Sequence, residues 1–304
     1  MRLGVYIQVP FCRTKCTYCN FHTGVVSAGR FQPYADAVAR EIRNHRALYA
    51  GAGVRLPDSF AEAVVDTVYI GGGTPSLLEP RDVEKLIESI RQSLPSEFTE
   101  ITLEADPETI DAEKASAWVR AGINRISLGI QSFSDRELSA AGRLHRRSNI
   151  PRAAGALREA GIRNLSFDLI AGLPHQTEDS WRTSVEELLA LAPEHVSIYM
   201  LEVDEGSRLG REVLKGGIRY GADSIPDDDA IAGFYENACE TLAAAGYHHY
   251  EISNWARPGL ESRHNLKYWR REAYLGFGAG AHSFSGVERW ANAHDPAEYT
   301  RAID

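Results

Sequence analysis

Leu3-Gly4-Val5-Tyr6-Ile7-Gln8-Val9-Pro10-Phe11-Cys12-Arg13-Thr14-Lys15-Cys16-Thr17-Tyr18-Cys19 is the stretch from which the fold is read. Its opening alternates Leu3, Val5, Ile7 and Val9 against Gly4, Tyr6 and Gln8, the period-two pattern of a strand. A Cys-x3-Cys-x2-Cys run follows at once, in a chain with only four cysteines. Thiolates this close together can surround one soft metal centre. A [4Fe–4S] cluster usually takes four of them, so three would leave one iron open to a small chelating molecule. A structural zinc wants four N or S ligands, and His22 would complete such a set. Buried thiols without metal are the third reading. A disulfide framework does not suit a chain of this size with no secretory signal.

The same strand-then-helix unit recurs outward from this stretch. Apolar spacing predicts a helix over 33–50, with Pro33 near its start. Residues 64–70 read as a second strand running into Gly71-Gly72-Gly73-Thr74-Pro75, then a helix over 80–94. Further strands are predicted at 100–105, 125–131, 164–170 and 195–201. Helices are predicted after them at 111–121, 134–140, 148–160, 178–191 and 228–245. Six such units predict a parallel α/β domain with right-handed crossovers. The expected fold is a partial (β/α)6 TIM-type barrel with an open side, the alternative being an open doubly wound sheet. The barrel is assigned to 1–205 and a C-terminal extension to 206–304. Ala297-Glu-Tyr-Thr-Arg301 reads as the start of a helix rather than a finish, so the chain is expected to be truncated, missing a further C-terminal domain.

Hydrophobic residues make up 43% of the 304 and charged ones 25%, ordinary for a soluble globular protein. A net charge of −9 carries no electrostatic footprint for nucleic acid. No apolar run approaches the roughly 20 residues that cross a bilayer. A cytoplasmic setting is expected, where thiols stay reduced.

In parallel barrels the reactive groups sit at the C-terminal ends of the strands. The unusual residues here fall at those ends: the cysteines, the triple glycine, Glu104 with Asp106, Gln131, and Asp168 late in its strand. The glycines would free backbone N–H groups to approach a ligand, or simply make a tight turn. Glu104 would accept two hydrogen bonds from a ribose diol, or pair with an arginine. Arg143 would grip a ligand carboxylate as a bidentate fork, or lie on a solvated helix face.

Together these residues resemble the radical S-adenosylmethionine (SAM) superfamily. More narrowly, they resemble the group containing oxygen-independent coproporphyrinogen III oxidase and haem chaperones of the HemW type. The resemblance runs from Val5 to about Tyr299. It rests on Tyr-Ile-x-Val-Pro-Phe-Cys, Gly-Gly-Gly-Thr-Pro-Ser, Glu-Ala-Asp-Pro, Gly-Ile-Gln-Ser-Phe and Asp-Leu-Ile-Ala-Gly-Leu-Pro. It implies a [4Fe–4S] cluster on Cys12, Cys16 and Cys19, with SAM on the open iron. Tyr6, Tyr18, Gly72, Gly73, Thr74, Glu104, Gln131, Arg143 and Asp168 match SAM-binding positions.

The oxidases carry a fourth cysteine two positions after the third, where this chain has Phe21, and a longer segment before the cluster. The resemblance therefore favours a haem chaperone over a radical SAM oxidase or decarboxylase acting on coproporphyrinogen III or a related tetrapyrrole. His264-Asn265-Leu-Lys-Tyr268-Trp269 resembles the haem-binding motif of the chaperones, with His264 as the iron ligand. An imidazole can ligate haem iron, and Tyr and Trp can pack on a macrocycle. The reading without the family is that His264 caps a turn among core aromatics. His282 is a weaker second candidate. Haem and apo-haemoprotein acceptors are the implied partners. The resemblance leaves room for a haem donor and a transient membrane contact, and allows a monomer or a homodimer.

Overall fold

The fold comes from a computed structural model that describes residues 1–303. Six strands, β1 Arg2–Val9, β2 Val64–Gly72, β3 Ser96–Ala105, β4 Arg125–Gln131, β5 Asn164–Ala171 and β6 His195–Met200, pair in parallel in chain order. A doubly wound sheet reverses its strand order at a switch point. There is no such reversal across β1 to β6, so the barrel reading stands over its alternative.

Helices follow the strands as patterned: α1 Phe31–Gly51, α2 Pro80–Ser93, α3 Ala112–Ala121, α4 Asp135–Ala140, α5 Asn149–Ala160 and α6 Glu178–Ala190. Local chemistry sets their ends. Pro80 opens α2, where its missing N–H costs nothing. The Asp111 side chain caps the Lys114 N–H of α3, and Gly122 closes that helix at φ 102°.

Strand alternation divides the barrel into an apolar outside and a polar inside. Leu3, Val5, Ile7 and Val9 are buried in the main hydrophobic core, whereas Tyr6 lines a cavity. The inward set continues with Tyr69 on β2, Glu104 on β3, Ser127 on β4, Asp168 on β5 and Ser197 on β6. A barrel interior is more often filled by branched apolar side chains. Here it is left open, with polar side chains among apolar ones.

The segment after 205 is continuous with the barrel. It supplies α7 Arg208–Leu214, α8 Asp228–Ala244 and five short strands. Strands β7 His248–Glu251 and β8 Asn254–Ala256 extend the β6 edge antiparallel. At the other edge β9 Tyr274–Phe277 runs parallel to β1, followed by β10 His282–Phe284 and β11 Arg289–Ala291. The strand order thus runs open from β11 to β7. Helix α9 Arg263–Trp269 lies at the N-terminal ends of the first strands. Glu100 of β3 accepts from the Arg263 and His264 N–H groups, both at 2.9 Å, and Lys267 pairs with Asp66 at 2.9 Å. Helix α10 Pro296–Ile303 returns to α1, where Glu41 accepts from the Gly278 N–H, the Asn292 amide and the Tyr299 hydroxyl. Among the described residues no helix is long and apolar enough to cross a membrane.

Candidate functional site

One cavity of about 980 Å³ runs down the inside of the barrel. The cluster, SAM and haem-motif candidates all border it except Trp269, which is 52% exposed; His22 and His282 do not line it.

The cysteine loop forms its mouth. Phe11–Cys12 pairs with Gly24–Val25, and the Gly24 N–H donates to the Pro10 carbonyl at 2.8 Å, closing the loop at its base. The loop is tied across the mouth by the Thr17 N–H to the Ala141 carbonyl at 3.0 Å, and by the Leu209 N–H to the Thr17 carbonyl at 2.8 Å. Cys12, Cys16 and Cys19 are half-buried free thiols on the cavity wall. Among the described residues no three His, Cys, Asp or Glu side chains are grouped around a single metal ion. His22 is turned away from the cavity, its ring against that of His294 at 4.5 Å between centroids, so the four-ligand zinc set is not assembled.

The triple glycine lies directly behind this loop. A Cβ on Gly73 would stand 2.5 Å from the Phe11 carbonyl oxygen, and Gly72 adopts φ 117°, so both positions require glycine. One expectation is corrected here. The N–H groups of Gly72, Gly73 and Thr74 are engaged by Glu104 at 2.8 Å, Val9 at 2.8 Å and Phe11 at 2.7 Å. They are not free for a ligand; the loop holds the strand ends and the cysteine loop together.

Glu104 also accepts from the Tyr69 hydroxyl at 2.8 Å, and burial pushes its carboxyl up to about 7. Arg143 is an internal clamp rather than a solvated side chain. It donates to Asp106, to the Gly129 carbonyl at 2.7 Å and to Cys16 Sγ at 3.6 Å. Gln131 ends β4 at φ 62°, a strained conformation for a residue with a side chain. Asp168 accepts from Ser127 at 3.2 Å, and burial raises it to about 6. Tyr6 donates to Gln8 at 2.5 Å, and burial raises Tyr18 well above its usual range.

His264, Asn265 and Tyr268 form the opposite end, the floor, so the expected haem motif lies far down the barrel from the cysteines. His264 is 1% exposed. Its Nδ1 is 2.9 Å from the Thr67 hydroxyl and its Nε2 2.9 Å from the Tyr268 hydroxyl. Burial lowers its imidazole to about 3. With both nitrogens engaged by hydroxyls, His264 braces α9 on β2 in this structure.

Sequence reading missed the polar floor beside it. Arg125 opens β4, is 2% exposed and borders the cavity, and its buried Nε has no hydrogen-bond partner. His195 bridges Ser166 and Tyr250, each at 2.8 Å. The signal was available: Arg125, Ser127 and Gly129 alternate with Ile126, Leu128 and Ile130, so the polar face of β4 had to point inward.

The donor set suits an iron–sulfur cluster. Three free thiols share one wall, with the Arg143 guanidinium beside Cys16. Burial pushes the Cys12 thiol up to about 11, which a cluster would reverse, since a coordinating thiol is deprotonated outright.

Residues 6–188 match the radical SAM superfamily. The chain is 38% identical over 297 residues to the haem chaperone HemW of Synechocystis sp., covering 95% of this chain and 68% of that one. It is 36% identical over 302 residues to HemW of Bacillus subtilis, covering 99% and 76%. Its fold is similar to coproporphyrinogen III oxidase (HemN) from Escherichia coli, a radical SAM enzyme. The TM-score is 0.81 at 23% identity, over 99% of this chain and 69% of that one.

Proposed function

The chain belongs to the radical SAM superfamily and, within it, to the HemW family of haem chaperones, and on that premise we propose that it binds haem as cargo and passes it to apo-haemoproteins. In this reading Cys12, Cys16 and Cys19 hold a [4Fe–4S] cluster, and SAM occupies the barrel. The observation that carries it is the cavity that joins the cysteine wall to the floor, with polar groups set among apolar walls. Its volume, about 980 Å³, lies at the upper end of small-molecule pockets, so a SAM-sized ligand fits lengthwise.

The chain's own groups would bind and orient that ligand. Glu104 and Asp168 keep acceptor capacity for hydroxyls beyond their present donors. Tyr18 lines the cavity beside the cysteines and Tyr6 lines it further down, stacked on Tyr69, and Arg125 presents a guanidinium suited to a carboxylate. When bound, cluster and SAM supply one-electron chemistry. Decarboxylation of coproporphyrinogen III is the lesser reading, because Phe21, 67% exposed, stands where the oxidases carry their fourth cysteine.

An anaerobic haem titration of cluster-reconstituted protein tests the proposal. A saturable Soret band at one haem per chain supports it. A band that grows without saturation, or none, contradicts it.

A further inference from the structure

Deep in the cavity, at the far end from the cysteines, one charged group has no match. Arg125, the first residue of β4, is 2% exposed and borders the cavity. Its Nε is buried and has no hydrogen-bond partner among the described residues. Nearly all buried polar groups find one, so an orphaned guanidinium N–H on a cavity wall calls for an acceptor that a ligand brings.

The surroundings do not supply that acceptor. Asp168 feels the charge, yet takes its hydrogen bonds from Ser127 at 3.2 Å and Ser166 at 3.4 Å. Burial, with the Arg125 charge added, lowers the His195 imidazole well below its ordinary range, so that ring is neutral at pH 7. Arg143, the guanidinium near the mouth, is by contrast already joined to Asp106. Among the described residues Arg125 forms no ion pair, and it remains the buried cation of the cavity still to be matched. A guanidinium is best met by a carboxylate, which it can hold through two parallel hydrogen bonds.

The same cavity has an apolar rim. Tyr199 and Met200 end β6, and Ile252 lies in the turn between β7 and β8. All three border the cavity and are 48%, 49% and 64% exposed. The basin around Arg125 also adjoins α9. The Asn265 amide donates to the Tyr250 hydroxyl at 3.5 Å, and that hydroxyl meets His195 at 2.8 Å. A flat apolar ring that carries carboxylates suits both features. SAM suits them less, because in the proposed reading its one carboxylate is held at the open iron, by the mouth.

We propose that Arg125 grips a propionate carboxylate of the haem cargo, with the ring lying towards Tyr199, Met200 and Ile252. The inference rests on the haem-chaperone reading and deepens it, since it names the part of the cargo that the barrel floor recognises. It leaves the α9 motif beside the ring, where the iron needs its ligand.

The test compares haem with its dimethyl ester, which keeps the iron and the ring but has no free propionate. Both are titrated anaerobically into cluster-reconstituted protein and followed by the Soret band, with Arg125→Gln and Arg125→Lys beside the wild type. Iron and sulfide content and circular dichroism report whether each variant folds and keeps its cluster. The wild type is expected to bind haem about tenfold or more tightly than the ester. Arg125→Gln is expected to bind the two alike, and Arg125→Lys to keep part of the preference. Structural damage would weaken both porphyrins together and leave the preference in place. A wild type that binds the ester as tightly as haem overturns the inference by itself, and so does an intact preference in Arg125→Gln. Calorimetry with SAM separates the two acids: a SAM affinity that falls in Arg125→Gln while the haem preference stays would give Arg125 to SAM. In each of these cases haem is still bound and the chaperone reading stands. A wild type that binds neither porphyrin would overturn both.

Discussion

Replacing His264 with alanine removes a residue that ties α9 to the floor of the barrel. Its two ring nitrogens meet Thr67 and Tyr268 at 2.9 Å each, the first contact fully buried and the second partly so. Each lost hydrogen bond costs about 1 kcal/mol net, and the vacated ring volume adds a cavity cost, for about 3 kcal/mol in all. For a domain of this size that is a fall in Tm of about 5–10 °C. The loss has a pH signature. Burial holds the imidazole down to about 3 in the folded chain, against about 6.5 when unfolded. A depressed folded pKa gives stability that is fully present above pH 6.5 and is lost as pH falls towards 3. The slope is about 1.4 kcal/mol per pH unit. The variant lacks this titration, so its deficit should shrink from about 3 kcal/mol at pH 7.5 to about 1 kcal/mol at pH 5. Urea unfolding of both proteins at the two pH values measures it. A deficit that is absent, or equal at both pH values, would refute the bracing role.

Tyr299→Phe removes the hydroxyl that donates to Glu41 at 2.5 Å and should cost about 1–3 kcal/mol, read by thermal unfolding. Burial raises Glu41 to about 7 while the Tyr299 hydrogen bond favours its ionised form, so the bond counts for more once the carboxyl ionises and this cost should be larger at pH 8 than at pH 6. Gly73→Ala puts a Cβ 2.5 Å from the Phe11 carbonyl oxygen, and should lower reconstituted iron content while circular dichroism stays close to wild type. Arg143→Lys cannot serve Asp106, the Gly129 carbonyl and Cys16 together; SAM affinity should fall about tenfold by calorimetry on the cluster-loaded protein.

The barrel was legible because each of its strands carries its own pattern. Arg125–Gln131 was placed to the residue, and the helix ends followed from Pro80, Gly122 and Gly161. The five later strands were not, since each is three or four residues long and owes its existence to an edge of the sheet already formed. Residue types at strand ends pointed to the cavity wall, but spacing cannot say which nitrogens and amides are already engaged. The Gly72–Thr74 amides and both His264 nitrogens are bonded within the protein, and only tertiary contacts reveal it. The reverse holds for Arg125. In the sequence it is one more strand residue, and only the folded chain shows its buried Nε without a partner.

Transfer of haem tests the central claim most directly. Cluster-reconstituted protein charged with one equivalent of haem would be mixed anaerobically with an apo-haemoprotein, apomyoglobin serving as the probe. The acceptor's Soret band would be followed over time, alongside free haem at the same concentration. The account predicts a saturable donor complex whose haem reaches the acceptor with kinetics distinct from free haem, and no carbon dioxide released when coproporphyrinogen III replaces haem. Transfer indistinguishable from free haem, together with SAM-dependent carbon dioxide release, would contradict it.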